Sequence, residues 1–299
     1  MNYYTIFGLN VASEVICPEL HTINALDQPE VSIKYGSLAH IPFPEPNRSK
    51  NHLINNHQLL INISGVAKYL VTKGEQVIVD PDHKASDQEV RLFLLGSTMG
   101  AILHQRGYLA IHGNGIVING ECIIFAGHSG KGKSTLAAAF AQKGFQLLCD
   151  DLCAIKITDK GEAFVQPGFP HIKLWPESLK QLKEQPTNLT RVRPDENKYI
   201  VPMDTKYCEQ AVPLKKIYTL HFHDKDSIDF QKLNALDTLL ALNNYTYKQR
   251  MLKTINPTKE HYALYMKLAK TTLVSRVFRP KNITILNTLI DAILLENHL

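Results

Sequence analysis

The most constraining feature of this sequence is a glycine-rich loop between an apolar run and a run of helix formers. The loop, Gly127–Ser134, matches the phosphate-loop pattern G-x-x-x-x-G-K-[ST] over its full length. The preceding Cys122–Ala126 predicts a short buried strand, and the following Ser134–Lys143, closed by Gly144, predicts a helix. Because the backbone N–H groups of such a loop and the helix N-terminus point to one place, we expect this segment to bind phosphate groups.

Two side chains of this loop have predicted roles in binding a nucleotide. We expect Lys133 to reach the β- and γ-phosphates and the Ser134 hydroxyl to ligate Mg²⁺. The nucleotide-binding residues that we predict are Gly127, His128, Ser129, Gly130, Lys131, Gly132, Lys133, Ser134 and Thr135.

Two carboxylates and a histidine follow neighbouring apolar runs. Phe145–Cys149 predicts a buried strand that ends in Asp150 and Asp151, and Leu109–Gly113 predicts a strand that ends in His112. Ligands of α/β folds bind beyond the carboxyl ends of strands, so we expect these groups beside the loop. One carboxylate can hold Mg²⁺, and the other can take the proton from an attacking hydroxyl.

The set of His112, the phosphate loop, a helix ending in glycine and Asp150-Asp151 resembles the HPr kinase/phosphorylase family of P-loop serine kinases. The resemblance implies an α/β fold, with a P-loop kinase core in which a mixed sheet is flanked by helices. It also implies ATP and Mg²⁺ as cofactors. By this resemblance Asp151 is the general base, with Lys133 on the phosphates, and Asp150 and His112 assist in orientation and charge.

Other segments are similar to one branch of that family, the kinases of lasso peptide biosynthesis. They are Phe7–Glu14, Gln105–Tyr108, Pro167–Glu177 and Lys198–Pro202. This similarity implies a serine of a precursor peptide as the acceptor. The Glu-Ile-Arg-Gly-type signature of the HPr kinases is missing, so Glu177 as a metal ligand beside Ser134 and Asp150 is a hypothesis. A plain helix-start glutamate after Pro176 is the competing interpretation.

Three cations lie in a polar stretch that we predict to be a loop, Gln185–Asn197, and directly after it. Arg191, Arg193 and Lys198 could contact a transferring phosphoryl group or the substrate. A solvated loop is an equal alternative for the same residues.

The rest of the chain predicts two domains. Residues 1–84 form a small β-rich N-terminal domain for substrate or dimer contacts, with a first β-rich segment at Tyr3–Val11 and a long exposed loop at Ile41–Asn56. Residues 85–299 form the kinase domain, beginning with a helix at Ala85–Arg106. Further predicted elements are an irregular segment at Pro167–Glu177, a helix at Ser178–Lys183, a strand at Ile217–Phe222 whose His221 and His223 lie on an exposed edge, and helices at Thr258–Ala269 and Asn282–Leu295.

Composition excludes several classes of protein. Hydrophobic residues make up 44% and charged residues 20%, and the net charge of +5 is spread along the chain without a dense basic run, so we expect no nucleic-acid partner. The sequence has no signal peptide and no apolar run of membrane-spanning length, and five cysteines without framework spacing suggest reduced thiols. We therefore expect a cytoplasmic homo-oligomer without a membrane partner.

The function predicted from the sequence is transfer of a γ-phosphoryl group from ATP to a hydroxyl. The acceptor that fits best is a serine of a peptide or protein. Two alternatives stay open: a kinase of a small-molecule hydroxyl, such as a sugar or nucleoside, and a nucleotide-binding regulator without phosphoryl transfer. The Asp-Asp pair with His112 favours the kinase, because a plain ATPase needs a water-positioning residue instead.

Overall fold

A computed structural model of the chain describes residues 1–41, 51–55, 57–251, 258–281 and 285–298, and only the backbone of 51–55, 258 and 259. These residues divide into two compact units. The first contains Met1–Ala110 and Tyr247–Ala263, and the second contains Ile111–Thr246 and Leu264–Leu299. The division differs from the sequence-based boundary at 84/85, because residues 85–110 and Tyr247–Ala263 belong to the first unit.

The first unit is built on a sheet of short strands. The strands are β1 (Asn2–Ile6), β2 (Leu9–Ser13), β3 (Val31–Tyr35), β4 (Asn51–Asn55), β5 (Gln58–Ile63), β6 (Ala67–Thr72) and β7 (Gln76–Pro81). Their spatial order is β1-β2-β3-β7-β6-β5-β4. The predicted β-rich segment Tyr3–Val11 forms parts of two strands, because Phe7 and Gly8 have φ of 52° and 69° and turn the chain back on itself.

The loop predicted at Ile41–Asn56 is corrected in part. Strand β4 pairs antiparallel with β5 inside that range, so Asn51–Asn55 is not a loop. Residues 42–50 and 56 of the prediction lie outside the described residues. Polar asparagines and a histidine in this strand hid its apolar alternation.

The helix predicted at Ala85–Arg106 forms in three pieces, α1 (Asp87–Phe93), a wider π-turn (Leu94–Thr98) and α2 (Met99–Gln105). Ser86 caps it through a reciprocal capping box, in which the Ser86 hydroxyl accepts from the Glu89 N–H and Glu89 accepts from the Ser86 N–H. The helical segment belongs to the first unit, where the Tyr69 hydroxyl donates to the Val90 carbonyl over 2.8 Å.

The second unit contains four strands that run parallel within a mixed sheet. The strands of the sheet are β8 (Leu109–Ile111), of which only Ile111 belongs to this unit, β9 (Gly113–Ile118), β10 (Glu121–Ala126), β11 (Gln146–Cys149), β12 (Cys153–Ile157), β13 (Ala163–Gln166), β17 (Val212–Phe222), β18 (Asp229–Lys232) and β19 (Leu273–Arg279). Strand β10 pairs antiparallel with β9 and parallel with β17, β9 pairs antiparallel with β11, and β17 pairs parallel with β19. The carboxyl ends of β11, β10, β17 and β19 therefore meet at one edge.

One face of this sheet is covered by three helices, and their apolar residues form a common core. Phe125 of β10 stacks on Phe140 of the helix Lys133–Gln142 and on Tyr218 of β17, at centroid distances of 5.4 and 6.2 Å. The helices are α3 (Lys133–Gln142), α4 (Pro176–Gln181) and α7 (Leu286–Glu296); the others in this part of the chain are α5 (Ala235–Asn244) and α6 (Thr258–Thr271).

Three segments differ from the sequence prediction. The predicted irregular segment Pro167–Glu177 contains a strand, and the predicted loop Gln185–Asn197 is largely a hairpin, which together form a small antiparallel sheet. Prolines and charged residues mask the period-two pattern in both. Strand β17 lies between β10 and β19, and His221 pairs with Phe278 of β19, so His221 does not lie on an exposed edge. His223 follows the end of β17, and its N–H donates to the Arg279 carbonyl over 3.1 Å. The strands of the small sheet are β14 (His171–Leu174), β15 (Thr190–Arg193) and β16 (Glu196–Pro202).

The two C-terminal helices form close to where the sequence predicts them. Residues 282–284 of the predicted helix Asn282–Leu295 lie outside the described residues, and α7 starts at Leu286. None of the helices in the described ranges is long and apolar enough to cross a membrane. The five cysteines are all free thiols; Cys17, Cys122, Cys149 and Cys153 are buried and Cys208 is partly exposed.

The C-terminus of α7 is fixed to the sheet by an ion pair of low exposure. Lys216 donates to both carboxylate oxygens of Glu296 over 2.6 Å, and the Tyr218 hydroxyl donates to the same carboxylate. Burial together with the Glu296 carboxylate raises the pKa of Tyr218, so the phenol stays a donor.

We predict that Glu296→Ala lowers the free energy of unfolding by about 2 kcal/mol, because it leaves the Lys216 ammonium without its buried partner. Replacing both partners, as Lys216→Met with Glu296→Leu, is expected to restore most of that loss. Urea titration of both variants checks this. The exposed pair Lys143–Asp291 provides the control, since Asp291→Ala is expected to cost less than about 1 kcal/mol.

Stability of the second unit is expected to fall in acid through His171, a buried residue of β14. Burial, with a smaller effect of the Lys173 charge, lowers its pKa to about 3. As pH falls from about 6.5 towards 3, this imidazole takes up a proton in the unfolded chain but not in the folded chain. The free energy of unfolding therefore falls by about 1.4 kcal/mol per pH unit over this range. Urea midpoints of His171→Phe should depend less on pH over this range than wild type. His40→Gln, at an exposed histidine, should follow the wild-type dependence.

Candidate active site

The phosphate loop lies at the edge where the four parallel strands end. It runs from the end of β10 to the start of α3, and its Gly132 has φ of 81°, a left-handed conformation that favours glycine. Gly132 is also the N-cap of α3. Glycine has no side chain that could accept a hydrogen bond from the first N–H groups of α3. These groups point to the loop without a side-chain cap, as a phosphate site requires.

Lys133 is the buried cation of this loop. Its ammonium donates to the His128 carbonyl over 3.3 Å, and only 7% of the residue is exposed. Burial lowers the pKa of Lys133, and the carboxylates of Asp151 and Asp150 oppose that shift. The lysine thus lies between the loop and the carboxylate pair.

Asp150 is a buried carboxylate that accepts three hydrogen bonds from three different elements. The donors are Asn114 Nδ2, the Ser134 hydroxyl at 3.2 Å and the backbone N–H of Lys173 at 3.0 Å. Burial and the neighbouring Asp151 charge raise the pKa of Asp150, while Lys173 and Lys198 lower it. This carboxylate is held in place, and its contact with Ser134 puts it at the predicted metal side of the loop.

The side chain of Asp151 points away from that of Asp150, because the Asp151 backbone adopts φ of 67°. Of its side-chain surface 37% is exposed, so an incoming group can reach the carboxylate. His112 Nδ1 lies 3.1 Å from Asp151 Oδ1 and 3.0 Å from the Asp151 carbonyl. Burial favours a higher pKa for Asp151, but the His112 hydrogen bond and the charges of Lys173, His112 and Lys198 outweigh it and hold the pKa well below its usual range.

His112 is itself positioned by the backbone. Its N–H donates to the Tyr245 carbonyl over 2.7 Å, just after α5 ends. The strand ends of β8, β10 and β11 thus bring together His112, Lys133, Ser134, Asp150 and Asp151, as the sequence motifs predict.

Two residues of this site were missed by the sequence analysis. Asn114 is fully buried, and its Nδ2 also lies 3.5 Å from the Ser134 hydroxyl. It is the second residue of β9, whereas His112 lies in the bend between β8 and β9, so the predicted strand Leu109–Gly113 stopped one residue short of it. Lys173 contributes a backbone N–H and a charge, and it could be found only by recognising strand β14.

The oxygen atoms around Ser134 suit a hard divalent cation such as Mg²⁺, which prefers hydroxyl, carboxylate and amide oxygens. Ser134 Oγ and Asp150 Oδ1 are adjacent, and Asn114 Oδ1 is buried and accepts no hydrogen bond from any residue that the structure describes. Within the described ranges no group of three His, Cys, Asp or Glu is placed to hold a metal ion. Most ligands of a cation here would therefore be water or substrate oxygens, which is typical of Mg²⁺.

Glu177, the hypothetical third ligand, lies elsewhere. It is exposed in the first turn of α4, after Pro176. It lines a separate pocket with Gly130 and Thr135, and neither Ser134 nor Asp150 is part of that pocket. Glu177 is thus a glutamate of the first turn of α4, and its role as a metal ligand stays a prediction.

The three predicted phosphate-contacting cations separate. Arg193 forms an ion pair with Asp195 over 3.1 Å, and Arg191 donates to the Pro194 carbonyl, both within the β15–β16 hairpin. Lys198 is different, because its charge acts on Asp150, Asp151 and Lys133 and its ammonium lies 5.7 Å from the Trp175 ring. Of the three, Lys198 is the one that the structure brings near the carboxylates.

Comparisons with known proteins add little to this geometry. No family model matches the sequence, and no curated protein matches it. Among solved structures the chain is similar to the Hpr(Ser) kinase/phosphatase from Coxiella burnetii, with 13% identity over 63% of this chain and 98% of that chain and a TM-score of 0.34.

We predict that Asn114→Ala lowers the free energy of unfolding by about 1–3 kcal/mol, because it removes a buried donor to a buried carboxylate. Urea denaturation measures the change. Asn197→Ala, at an exposed asparagine of β16, is the matched control and should change stability by less than about 0.5 kcal/mol. Equal losses in the two variants would show that the Asn114 contact contributes nothing.

Proposed function

We propose that this protein is an ATP- and Mg²⁺-dependent kinase that transfers the γ-phosphoryl group to a hydroxyl. The proposed acceptor is a serine of a peptide or protein, and Asp151 is the proposed general base. The phosphate loop, Lys133 and the paired carboxylates support the reaction class, and the resemblance of the motifs to HPr-kinase-like enzymes supports the serine.

The observation that carries this proposal is the different environment of two neighbouring carboxylates. Asp150 is buried and bonded to the Ser134 hydroxyl, whereas Asp151 is partly exposed and paired with His112. A kinase needs one group at the metal and another that receives the proton of the acceptor. A low pKa keeps Asp151 ionised at neutral pH, so it can accept a hydrogen bond from the acceptor hydroxyl in the ground state.

In the proposed reaction the acceptor oxygen attacks the γ-phosphorus and the bond to the β-phosphate oxygen breaks, so that ADP leaves. The hydroxyl proton passes to a carboxylate oxygen of Asp151. His112 holds that carboxylate towards the acceptor, and Lys133 neutralises charge on the transferring group. A Mg²⁺ ion held by Ser134 and Asp150 would neutralise charge on the phosphate oxygens.

The first test is transfer by Asp151→Asn. Asparagine tolerates the left-handed backbone of this position, so the substitution removes the base without straining the chain. We expect a loss of transfer of about 10²–10⁴-fold with nucleotide binding retained, because the side chain contacts no phosphate in this mechanism. The mass of candidate peptides ending in serine, lasso precursor peptides first, measures transfer, and isothermal titration measures ATP binding.

Lys133→Ala provides the control, since it should abolish both ATP binding and transfer. Near-normal transfer by Asp151→Asn would refute the general-base assignment. ADP release by wild type without a modified peptide would favour a small-molecule hydroxyl as acceptor or a regulator that hydrolyses ATP. Metabolite mixtures containing sugars and nucleosides would then distinguish those two alternatives.

A further inference from the structure

A pocket of about 240 Å³ lies beside the phosphate loop, within the second unit. It opens between the first turn of α3, helix α4 and the end of β19. Its wall includes Gly132, Thr135, Glu177, Ser178, Phe222 and Arg279.

The sheet order places this pocket on the other side of β10 from the carboxylates. Asp150 follows β11, which lies on one side of β10 beyond β9, while the pocket lies at the ends of β17 and β19 on the other side of β10. None of His112, Ser134, Asp150 and Asp151 is in the pocket wall. Phosphates that lie along the loop with the terminal one at Asp151 therefore direct their other end to the pocket.

Arg279 gives the pocket a fixed planar cation. Its Nη2 donates to the Lys131 carbonyl of the loop over 2.9 Å, and its guanidinium carbon lies 4.7 Å from the centre of the Phe222 ring. A Cβ atom on Gly132 would approach Arg279 Nη2 to 2.5 Å, so the loop makes room for this arginine by having glycine there. Guanidinium groups stack on aromatic rings, including nucleobases.

The facing wall supplies polar groups of complementary kind. Glu177 presents an exposed carboxylate, which accepts hydrogen bonds from hydroxyl or amino donors. Ser178, another lining residue, shares a 2.7 Å hydrogen bond with Thr135, which joins α4 to α3 in the pocket wall. A volume slightly below the range of whole-ligand pockets suits one part of a ligand.

We propose that this pocket binds the nucleoside of the triphosphate, with the base stacked on Arg279 and the ribose hydroxyls or an amino group of the base donating to Glu177. The inference rests on the proposed function in that the loop must hold the phosphates. It goes further because it assigns Arg279 and Glu177 to nucleoside recognition and gives Glu177 a role other than metal ligation.

The test compares the affinities of ATP and inorganic tripolyphosphate, each with Mg²⁺, by isothermal titration. Wild type is expected to bind ATP at least about tenfold more tightly, because tripolyphosphate has nothing to place in the pocket. Arg279→Lys, which keeps the charge and loses the planar face, and Glu177→Gln should each weaken ATP by about tenfold and leave tripolyphosphate within about twofold. Glu209→Gln, at an exposed glutamate outside the pocket, should change neither affinity.

Equal affinities of wild type for the two ligands would overturn the pocket assignment while leaving the phosphate loop and the kinase proposal intact. An equal loss of both ligands in both variants would also overturn it, since the residues would then act on the loop and not on the nucleoside. Binding of neither ligand by wild type would overturn the proposed function together with the inference. Lys133→Ala should lose both ligands, which separates phosphate binding from nucleoside binding.

Discussion

The candidate site depends on a single buried carboxylate, Asp150. It accepts hydrogen bonds from Asn114 on β9, from Ser134 at the start of α3 and from the backbone of Lys173 on β14. An ionised carboxylate away from water is unfavourable unless it is well bonded, so these donors are what permits Asp150 to be there. Because each donor comes from a different element, the same contacts set the position of the phosphate loop relative to the sheet.

The backbone then gives the next residue the opposite environment. A positive φ at Asp151 turns its side chain out of the protein, to His112 and solvent, although the two aspartates are consecutive. Two carboxylates so close together would otherwise share one set of neighbours and repel each other. The backbone turn at Asp151 therefore separates the fixed carboxylate of Asp150 from the accessible carboxylate of Asp151. No further helix or strand is needed between the two residues.

How much of this could be predicted from the sequence differs from residue to residue. The phosphate loop, His112 and the aspartate pair were identified because each follows a short apolar run and the motif is local. Asn114 was missed because it lies just beyond the predicted strand Leu109–Gly113, at the start of β9. Arg279 could not be placed, because its contact with Lys131 joins residues 148 positions apart and depends on the parallel pairing of β19. Strands β14, β15 and β16 were missed because prolines and charges obscure their alternation, and tertiary pairing decided their structure.

The buried cysteines of the second unit allow unfolding of its sheet to be followed by alkylation. Cys122, Cys149 and Cys153 lie buried beneath the aspartates, and burial raises the pKa of Cys122 and Cys153. Alkylating reagents react with the thiolate. Because burial disfavours the thiolate, these cysteines are protected from alkylation as long as the sheet stays folded. Cys208, the partly exposed thiol, marks the reactivity of the native state. Alkylation at Cys122, Cys149 and Cys153, located by peptide mass and so distinguished from alkylation at the buried Cys17 of the first unit, therefore records opening of the sheet that carries the aspartates.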